Sequence, residues 1–160
     1  MTDESRSGDT CHSWIGEMTD RIPWDDYFMS LAKTAATRSA CLSRKVGAIL
    51  VRDHRIIAMG YNGTPSGIPE CKKCERPESG KELLDCRACH AEENAIMQCA
   101  LYGPSTIGAD LYSTTQPCFH CAKLIIQARI RSVYYLESYP DYRGTKMLKE
   151  ANIPVIQWSA

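Results

Sequence analysis

A histidine, a glutamate and two cysteines are the residues whose types and spacing best suit catalysis in this sequence. His90 and Glu92 stand in "CHAEENAIM", and Cys118 and Cys121 form a C-x-x-C in "PCFHC". One histidine and two thiolates are a ligand set that zinc favours, and a catalytic zinc keeps its fourth position for water. Both segments begin stretches with helical character, and a helix N-terminus stabilises a thiolate. We therefore predict a catalytic zinc held by His90, Cys118 and Cys121.

Glu92 lies two residues beyond the predicted ligand His90, close to where an activated water would stand. The C-x-x-C alone also suits redox centres and structural zinc sites. Together, however, the two segments match H-x-E followed by P-C-x-x-C, the signature of zinc-dependent nucleobase deaminases. Zinc would lower the pKa of the water towards neutrality, and Glu92 would pass its proton to a ring nitrogen and then help protonate the departing ammonia. The pattern predicts hydrolytic deamination.

The composition and charge of the chain narrow the class of protein. A length of 160 residues suits one domain with a continuous core. The 19 basic residues balance the 19 acidic ones, which argues against a protein built to bind a nucleic-acid backbone. The residues "MTDESRSGDT" lack a signal-peptide core, and no apolar run reaches membrane-spanning length. We therefore expect a cytoplasmic protein whose nine cysteines, an odd number, bind metal rather than form disulfides.

The hydrophobic pattern predicts the elements that must position these residues. After Pro23, apolar residues recur at helical spacing from Trp24 to Ala35. The predicted strands are 46–51, 55–61, 109–115, 132–138 and 153–158, and the later predicted helices are 90–103, 118–130 and 143–151. This alternation predicts a single α/β domain over 21–160, with a helix-covered sheet, preceded by a flexible tail over 1–20.

Four further cysteines form two C-x-x-C pairs in a polar, irregular part of the chain. Cys71 and Cys74 stand in "CKKC", Cys86 and Cys89 stand in "CRAC", and eleven residues separate the pairs. This spacing suits a closed four-thiolate zinc site, which could replace the apolar core that the loop lacks. Cys89 directly precedes His90, however, so its side chain could instead be committed to helix packing. The alternative is a loop of free thiols, which behave as small hydrophobes.

From about Ile22 onward, the chain resembles the deoxycytidylate (dCMP) deaminase family. The matching stretches are "WDDYFMSLA", "CLSRKVGAILV", "IIAMGYNGTPSG", "CHAEENAI", "PCFHCAKLIIQARI" and "YPDYRG". The resemblance implies a cytidine-deaminase-like three-layer fold, with a mixed β-sheet of about five strands and helices on both faces. It implies conversion of dCMP and water to dUMP and ammonia, which supplies dUMP for thymidylate synthesis. It also implies homo-oligomers, usually hexamers, and regulation by dCTP and dTTP, with Mg²⁺ accompanying a nucleotide effector.

The resemblance also implies substrate-binding residues. In relatives the "GYNGTPSG" loop lines the nucleotide site, so Asn62 is expected to bind the sugar hydroxyl, although a Gly/Pro surface turn is the alternative reading. The implied set is Asn62, Gly63, Thr64, Ala91, Arg44, Lys45 and Arg143. The three basic residues in it would supply cations for the phosphate, and each could equally be a surface charge.

The fourth ligand of the second zinc also follows from the resemblance. Some relatives with a second zinc take one ligand from the cysteine before the first strand, which here is Cys41 in "CLSRKVGA". We therefore expect a structural zinc held by Cys71, Cys74 and Cys86, with Cys41 slightly ahead of Cys89 as the fourth ligand.

Two other classes of protein remain open on the sequence. A tRNA or single-strand base deaminase uses the same zinc chemistry, but it would need a basic or aromatic groove, which the balanced charge does not favour. A cysteine-rich zinc module without enzymatic activity is the second alternative. Metal content and ammonia release from different substrates separate these classes.

Overall fold

The computed structural model of the chain describes residues 21–74, 76 and 86–159. The predicted tail over 1–20 and most of the polar loop lie outside the described residues. The helices are α1 (Trp24–Ala36), α2 (Ala91–Tyr102), α3 (Phe119–Gln127) and α4 (Arg143–Glu150). The strands are β1 (Gly47–Arg52), β2 (Arg55–Tyr61), β3 (Asp110–Thr115), β4 (Ser132–Glu137) and β5 (Val155–Gln157). Every predicted helix and strand is therefore present.

Helix α3 ends before the predicted limit of residue 130. Its last helical residue is Gln127, and Arg129 has a positive φ of 55°. This left-handed residue lets the amide of Ile130 donate to the carbonyl of Ile125, at 3.2 Å, which closes the helix. Because an arginine rather than a glycine takes this conformation, the sequence carried no visible stop signal.

The five strands form one mixed sheet in the order β2-β1-β3-β4-β5. Strand β1 runs antiparallel to both β2 and β3, whereas β3, β4 and β5 are parallel. Asp53 and His54, which join β1 to β2, both have positive φ, as a tight hairpin turn requires. The mixed five-stranded sheet and the predicted hairpin are confirmed.

Strand β1 divides its side chains between two cores. Ala48 and Leu50 belong to the cluster under α2, α3 and α4, while Ile49 and Val51 pack towards α1. Alternate residues of a strand face opposite sides of the sheet, so helices cover both faces. The predicted three-layer fold is confirmed. No helix within 21–74 or 86–159 has the combination of length and apolarity needed to cross a membrane.

Two glycines let neighbouring elements approach closely enough to build the site. A Cβ on Gly60 would lie 2.2 Å from the carbonyl oxygen of Ala91, so β2 touches the first turn of α2 only because residue 60 has no side chain. A Cβ on Gly144 would lie 2.4 Å from the carbonyl oxygen of Pro117, so α4 packs directly against the segment leading into α3. Both contacts hold a helix N-terminus in place.

Candidate metal and catalytic site

Three predicted zinc ligands converge at the N-termini of α2 and α3. His90 and Cys118 are the residues that precede these helices, both in extended conformation, and Cys121 lies in the first turn of α3. The Nδ1 atom of His90 is 3.3 Å from the Sγ atoms of both cysteines. The three ligand atoms lie within 4.8 Å of one another, and within the described residues they form the one group of this kind.

These distances fit a tetrahedral zinc. Zinc–nitrogen and zinc–sulfur bonds of about 2.0 and 2.3 Å place the ligand atoms roughly 3.5 Å apart. The donor set is one imidazole and two thiols, and Cys121 is fully buried. Such donors bind zinc in preference to hard cations such as Mg²⁺. The three side chains therefore suit a zinc ion that keeps one position for water, as the sequence predicted.

Hydrogen bonding among the three ligands sets their protonation. The bond from Cys121, followed by the contact with His90, lowers the pKa of Cys118 to about 4. The same thiol–thiol bond, together with burial, raises the pKa of Cys121. The bond with Cys118 raises the pKa of His90 to about 9. Zinc requires thiolates and a neutral imidazole, so its binding is linked to the release of protons.

Glu92 lies in the first turn of α2 and is almost completely buried, with 4% of its surface exposed. Its Oε1 atom accepts a hydrogen bond from the hydroxyl of Ser113 at 3.5 Å, and its Oε2 atom is 3.6 Å from the Sγ atom of Cys121. Burial is the main cause that raises the pKa of Glu92. A carboxyl group with a raised pKa beside a metal site is suited to accept and return a proton.

The neighbouring carboxylate, Glu93, has a structural task. Its Oε2 atom accepts a hydrogen bond from the backbone N–H of His90 at 3.2 Å, which satisfies a donor that the start of the helix would otherwise leave free. Its other oxygen lies 4.0 Å from the Nε2 atom of His120. Glu93 therefore fixes the backbone that carries the histidine ligand, while Glu92 faces the metal site.

A catalytic cavity of about 500 Å³ opens over Glu92 and the ligand set. Of the predicted substrate residues, Arg44, Asn62 and Ala91 line it. Five other lining residues have no role predicted from the sequence, namely Val46, Arg76, Thr115, Gln116 and Tyr139. Tyr139 lies in the matching stretch "YPDYRG", which was the available signal for it.

Asn62 uses its side chain to hold the entrance to β1. Its Oδ1 atom accepts a hydrogen bond from the N–H of Val46 at 2.7 Å, and its Nδ2 atom donates to the carbonyl of Arg44 at 2.8 Å. A carboxamide has two donors and two acceptor positions, so one of each remains for a ligand. Asn62 is thus placed to shape the cavity and still contact a substrate.

The other predicted substrate residues lie outside the catalytic cavity. Gly63 exchanges two backbone hydrogen bonds with Cys89, and the hydroxyl of Thr64 donates to the carbonyl of Ile68 at 3.1 Å. Lys45 is exposed. Arg143 is also exposed, and its Nη2 atom is 2.8 Å from the Oδ2 atom of Asp141. The roles of these residues in substrate binding stay predictions.

A second cavity, of about 880 Å³, contains the loop cysteines and is called the cysteine cavity below. Four predicted ligands of the second zinc line it, namely Cys41, Cys71, Cys74 and Cys86, together with Gly63 and Thr64. Their sulfur atoms are not gathered within 4.8 Å of one another, in contrast to the catalytic set. Cys89 is not among the lining residues. Cys99 is buried in the core.

A mixed sheet that presents this ligand set and a buried glutamate at two helix N-termini defines a zinc-dependent nucleobase deaminase. The family model of the cytidine and deoxycytidylate deaminase zinc-binding region matches residues 22–137. The chain therefore belongs to the cytidine and deoxycytidylate deaminase family.

The chain is similar to several individual proteins of this family. The chain is 44% identical over 146 residues to the deoxycytidylate deaminase of Saccharomyces cerevisiae, covering 87% of this chain and 46% of that protein. It is 42% identical over 142 residues to ComE operon protein 2 of Bacillus subtilis, covering 86% of this chain and 72% of that protein. The structure of the dCMP deaminase of cyanophage S-TIM5, solved in complex with dCMP and dUMP, superposes on this chain with a TM-score of 0.77 at 32% identity. The match covers 86% of this chain and 98% of that chain. The chain spans less than half the length of the yeast relative.

Proposed function

We propose that this chain hydrolyses dCMP to dUMP and ammonia, and so supplies dUMP for thymidylate synthesis. The observation that carries the proposal is the buried Glu92 carboxyl beside a zinc-type ligand set, in the lining of a cavity that two arginines also line. The relatives named deoxycytidylate deaminase and the cyanophage enzyme with bound dCMP and dUMP support this choice of substrate.

The residues of the chain divide the work of the reaction. His90, Cys118 and Cys121 would hold the zinc, which would act as a Lewis acid and lower the pKa of water. Glu92 takes a proton from that water at a carboxylate oxygen and delivers it to the ring nitrogen N3 of cytosine, while the water oxygen bonds to C4. Glu92 then takes the proton of the new C4 hydroxyl and passes it to the amino group, so that the C4–N bond breaks, ammonia leaves and a C4 carbonyl remains. The hydroxyl of Ser113 orients the carboxylate from β3.

Substrate binding is assigned to residues that line the catalytic cavity. The free N–H of the Asn62 carboxamide binds the sugar hydroxyl, and Ala91 at the start of α2 bounds the base. Arg44 provides positive charge for the phosphate. Gly63, Thr64, Lys45 and Arg143 stay as further predicted contacts.

A second, structural zinc in the cysteine cavity is part of the proposal. Cys41, Cys71, Cys74 and Cys86 border one cavity, which supports Cys41 rather than Cys89 as the fourth ligand. The four thiols would have to draw closer together around the metal, as is common where metal binding and folding are coupled.

Family membership also supports proposals beyond the single chain. These are a homo-hexameric assembly, activation by dCTP and inhibition by dTTP with Mg²⁺ on the nucleotide effector, and a cytoplasmic location. A deaminase domain over 21–160 preceded by a tail over 1–20 likewise stays a proposal.

The test of this function is a substrate panel. Zinc-replete protein is incubated with dCMP, dCTP, deoxycytidine and a single-stranded oligonucleotide, and ammonia release is measured. The proposal predicts the largest kcat/KM for dCMP. Preferential deamination of the oligonucleotide would favour a nucleic-acid base deaminase, and absence of ammonia with every substrate would favour a zinc module without enzymatic activity.

A further inference from the structure

Two arginines in the catalytic cavity have buried atoms that lack a partner. Across the described residues, the buried side-chain polar atoms without a hydrogen-bond partner are Nη1 of Arg44 and Nε of Arg76. Both side chains line the cavity that contains Glu92. A buried donor without a partner is costly, so a pair of such donors in one cavity indicates a ligand that accepts hydrogen bonds.

The charges around these arginines do not satisfy them. Nη1 of Arg44 forms an ion pair with Oε2 of the exposed Glu137, but the 3.7 Å between these atoms is too long for a hydrogen bond. Within the described part of the chain, Arg76 has no ion pair. Both arginines line the cavity together with Tyr139. Burial raises the pKa of Tyr139, while the positive charges of Arg76 and Arg44 act against that rise. Two positive charges therefore border this cavity.

The position of Arg76 separates it from the other cations of the chain. It borders both the catalytic cavity and the cysteine cavity, and it follows Cys74 by two residues. Arg143, by contrast, is exposed and bound to Asp141, and Lys45 is exposed outside the cavity. Guanidinium groups suit phosphate because their N–H donors match its oxygens.

We infer that Arg76, together with Arg44, binds the 5′-phosphate of the nucleotide and makes the site prefer a nucleotide to a nucleoside. This inference rests on the proposed deamination of dCMP. The base reaches the ligand set and Glu92, while the phosphate takes up the unpartnered donors of the two arginines. Arg76, which follows Cys74 by two residues, thereby adds a specificity-determining residue to the catalytic cavity.

The experiment compares Arg76→Ala with the unmodified chain on dCMP and deoxycytidine. A hydrogen bond to a charged group predicts a fall of about 10- to 150-fold in kcat/KM for dCMP, with deoxycytidine unchanged. Arg87→Ala is the matched control, because Arg87 is exposed and borders the cysteine cavity but not the catalytic cavity. This variant should leave kcat/KM unchanged for both substrates. Equal losses on both substrates, or no loss on dCMP, would overturn the inference.

Binding measurements keep the test independent of turnover and of folding. Calorimetry on the zinc-loaded protein should show that Arg76→Lys, a conservative variant, weakens dUMP binding but not deoxyuridine binding. Inorganic phosphate should compete with dUMP on the unmodified chain and fail to compete on the variant. Unchanged dUMP affinity would contradict the role of Arg76. Failure of the proposed function is distinguishable, since the unmodified chain would then release no ammonia from dCMP.

Discussion

At the scale of single residues, the site depends on side chains that both support the backbone and face the catalytic cavity. Asn62 holds the backbone on both sides of Lys45 and also faces the catalytic cavity. The spacing of His90, Cys118 and Cys121 was visible in the sequence because each ligand is fixed by the start of a local helix. The bonds of Asn62 were not visible, because their partners lie 16 to 18 residues away along the chain.

Removing the Asn62 carboxamide should therefore destabilise the fold. Asn62→Ala leaves the N–H of Val46 and the carbonyl of Arg44 without partners in a partly buried place, at a cost of about 1–3 kcal/mol. Denaturant unfolding measures the change. Asn94→Ala removes a carboxamide whose bond to the carbonyl of Tyr61 is exposed, so the loss should be smaller. Equal losses in the two variants would contradict the structural role of Asn62.

At the scale of elements, close packing of β2 and α4 against helix N-termini brings the ligands together. The sequence predicted every strand and helix, since their apolar spacing is regular. It did not predict that Gly60 and Gly144 permit the contacts, because a glycine in a strand or helix reveals nothing about the backbone opposite. It also missed Arg76, because no motif around this residue indicates that it borders the catalytic cavity.

Replacing Gly60 should disturb the catalytic site through α2. The new Cβ of Gly60→Ala would lie 2.2 Å from the carbonyl oxygen of Ala91, so the first turn of α2 would have to move. Overpacking of this kind costs about 1–3 kcal/mol or more. We expect weaker zinc binding and a lower unfolding free energy. In Gly63→Ala, by contrast, the added Cβ meets no atom within 4 Å, so stability should change little. Similar losses in both variants would argue against the contact.

The cysteine cavity makes a prediction about metal content. If Cys74 is a ligand of the structural zinc, Cys74→Ser should reduce the zinc content by about one ion per chain, from about two. Elemental analysis of metal-replete protein measures this content. Cys99→Ala should leave it unchanged, because Cys99 lies in the hydrophobic core. A single zinc per chain in the unmodified protein would mean that the loop thiols carry no metal.

At the scale of the whole molecule, a mixed sheet brings segments that are distant in the chain to one cavity. The ligand histidine stands at the start of α2, and the thiols stand at the start of α3, after β3. The two arginines come from the segments before β1 and after β2. Family membership agrees with this architecture over residues 22–137. The short motifs were sufficient to predict the chemistry. Substrate recognition was harder to predict, because it depends on residues that are far apart in the sequence.

The measurement that tests the central claim most directly is dUMP formation from dCMP by the zinc-loaded Glu92→Gln variant. The carboxamide cannot move protons, so turnover should fall by at least about 10²–10⁴-fold while zinc content and unfolding remain unchanged. Glu93→Gln is the matched control, since a carboxamide oxygen still accepts the hydrogen bond from the N–H of His90, and it should turn over dCMP at nearly the normal rate. Near-normal dUMP formation by Glu92→Gln would contradict the assignment of Glu92 and the mechanism built on it.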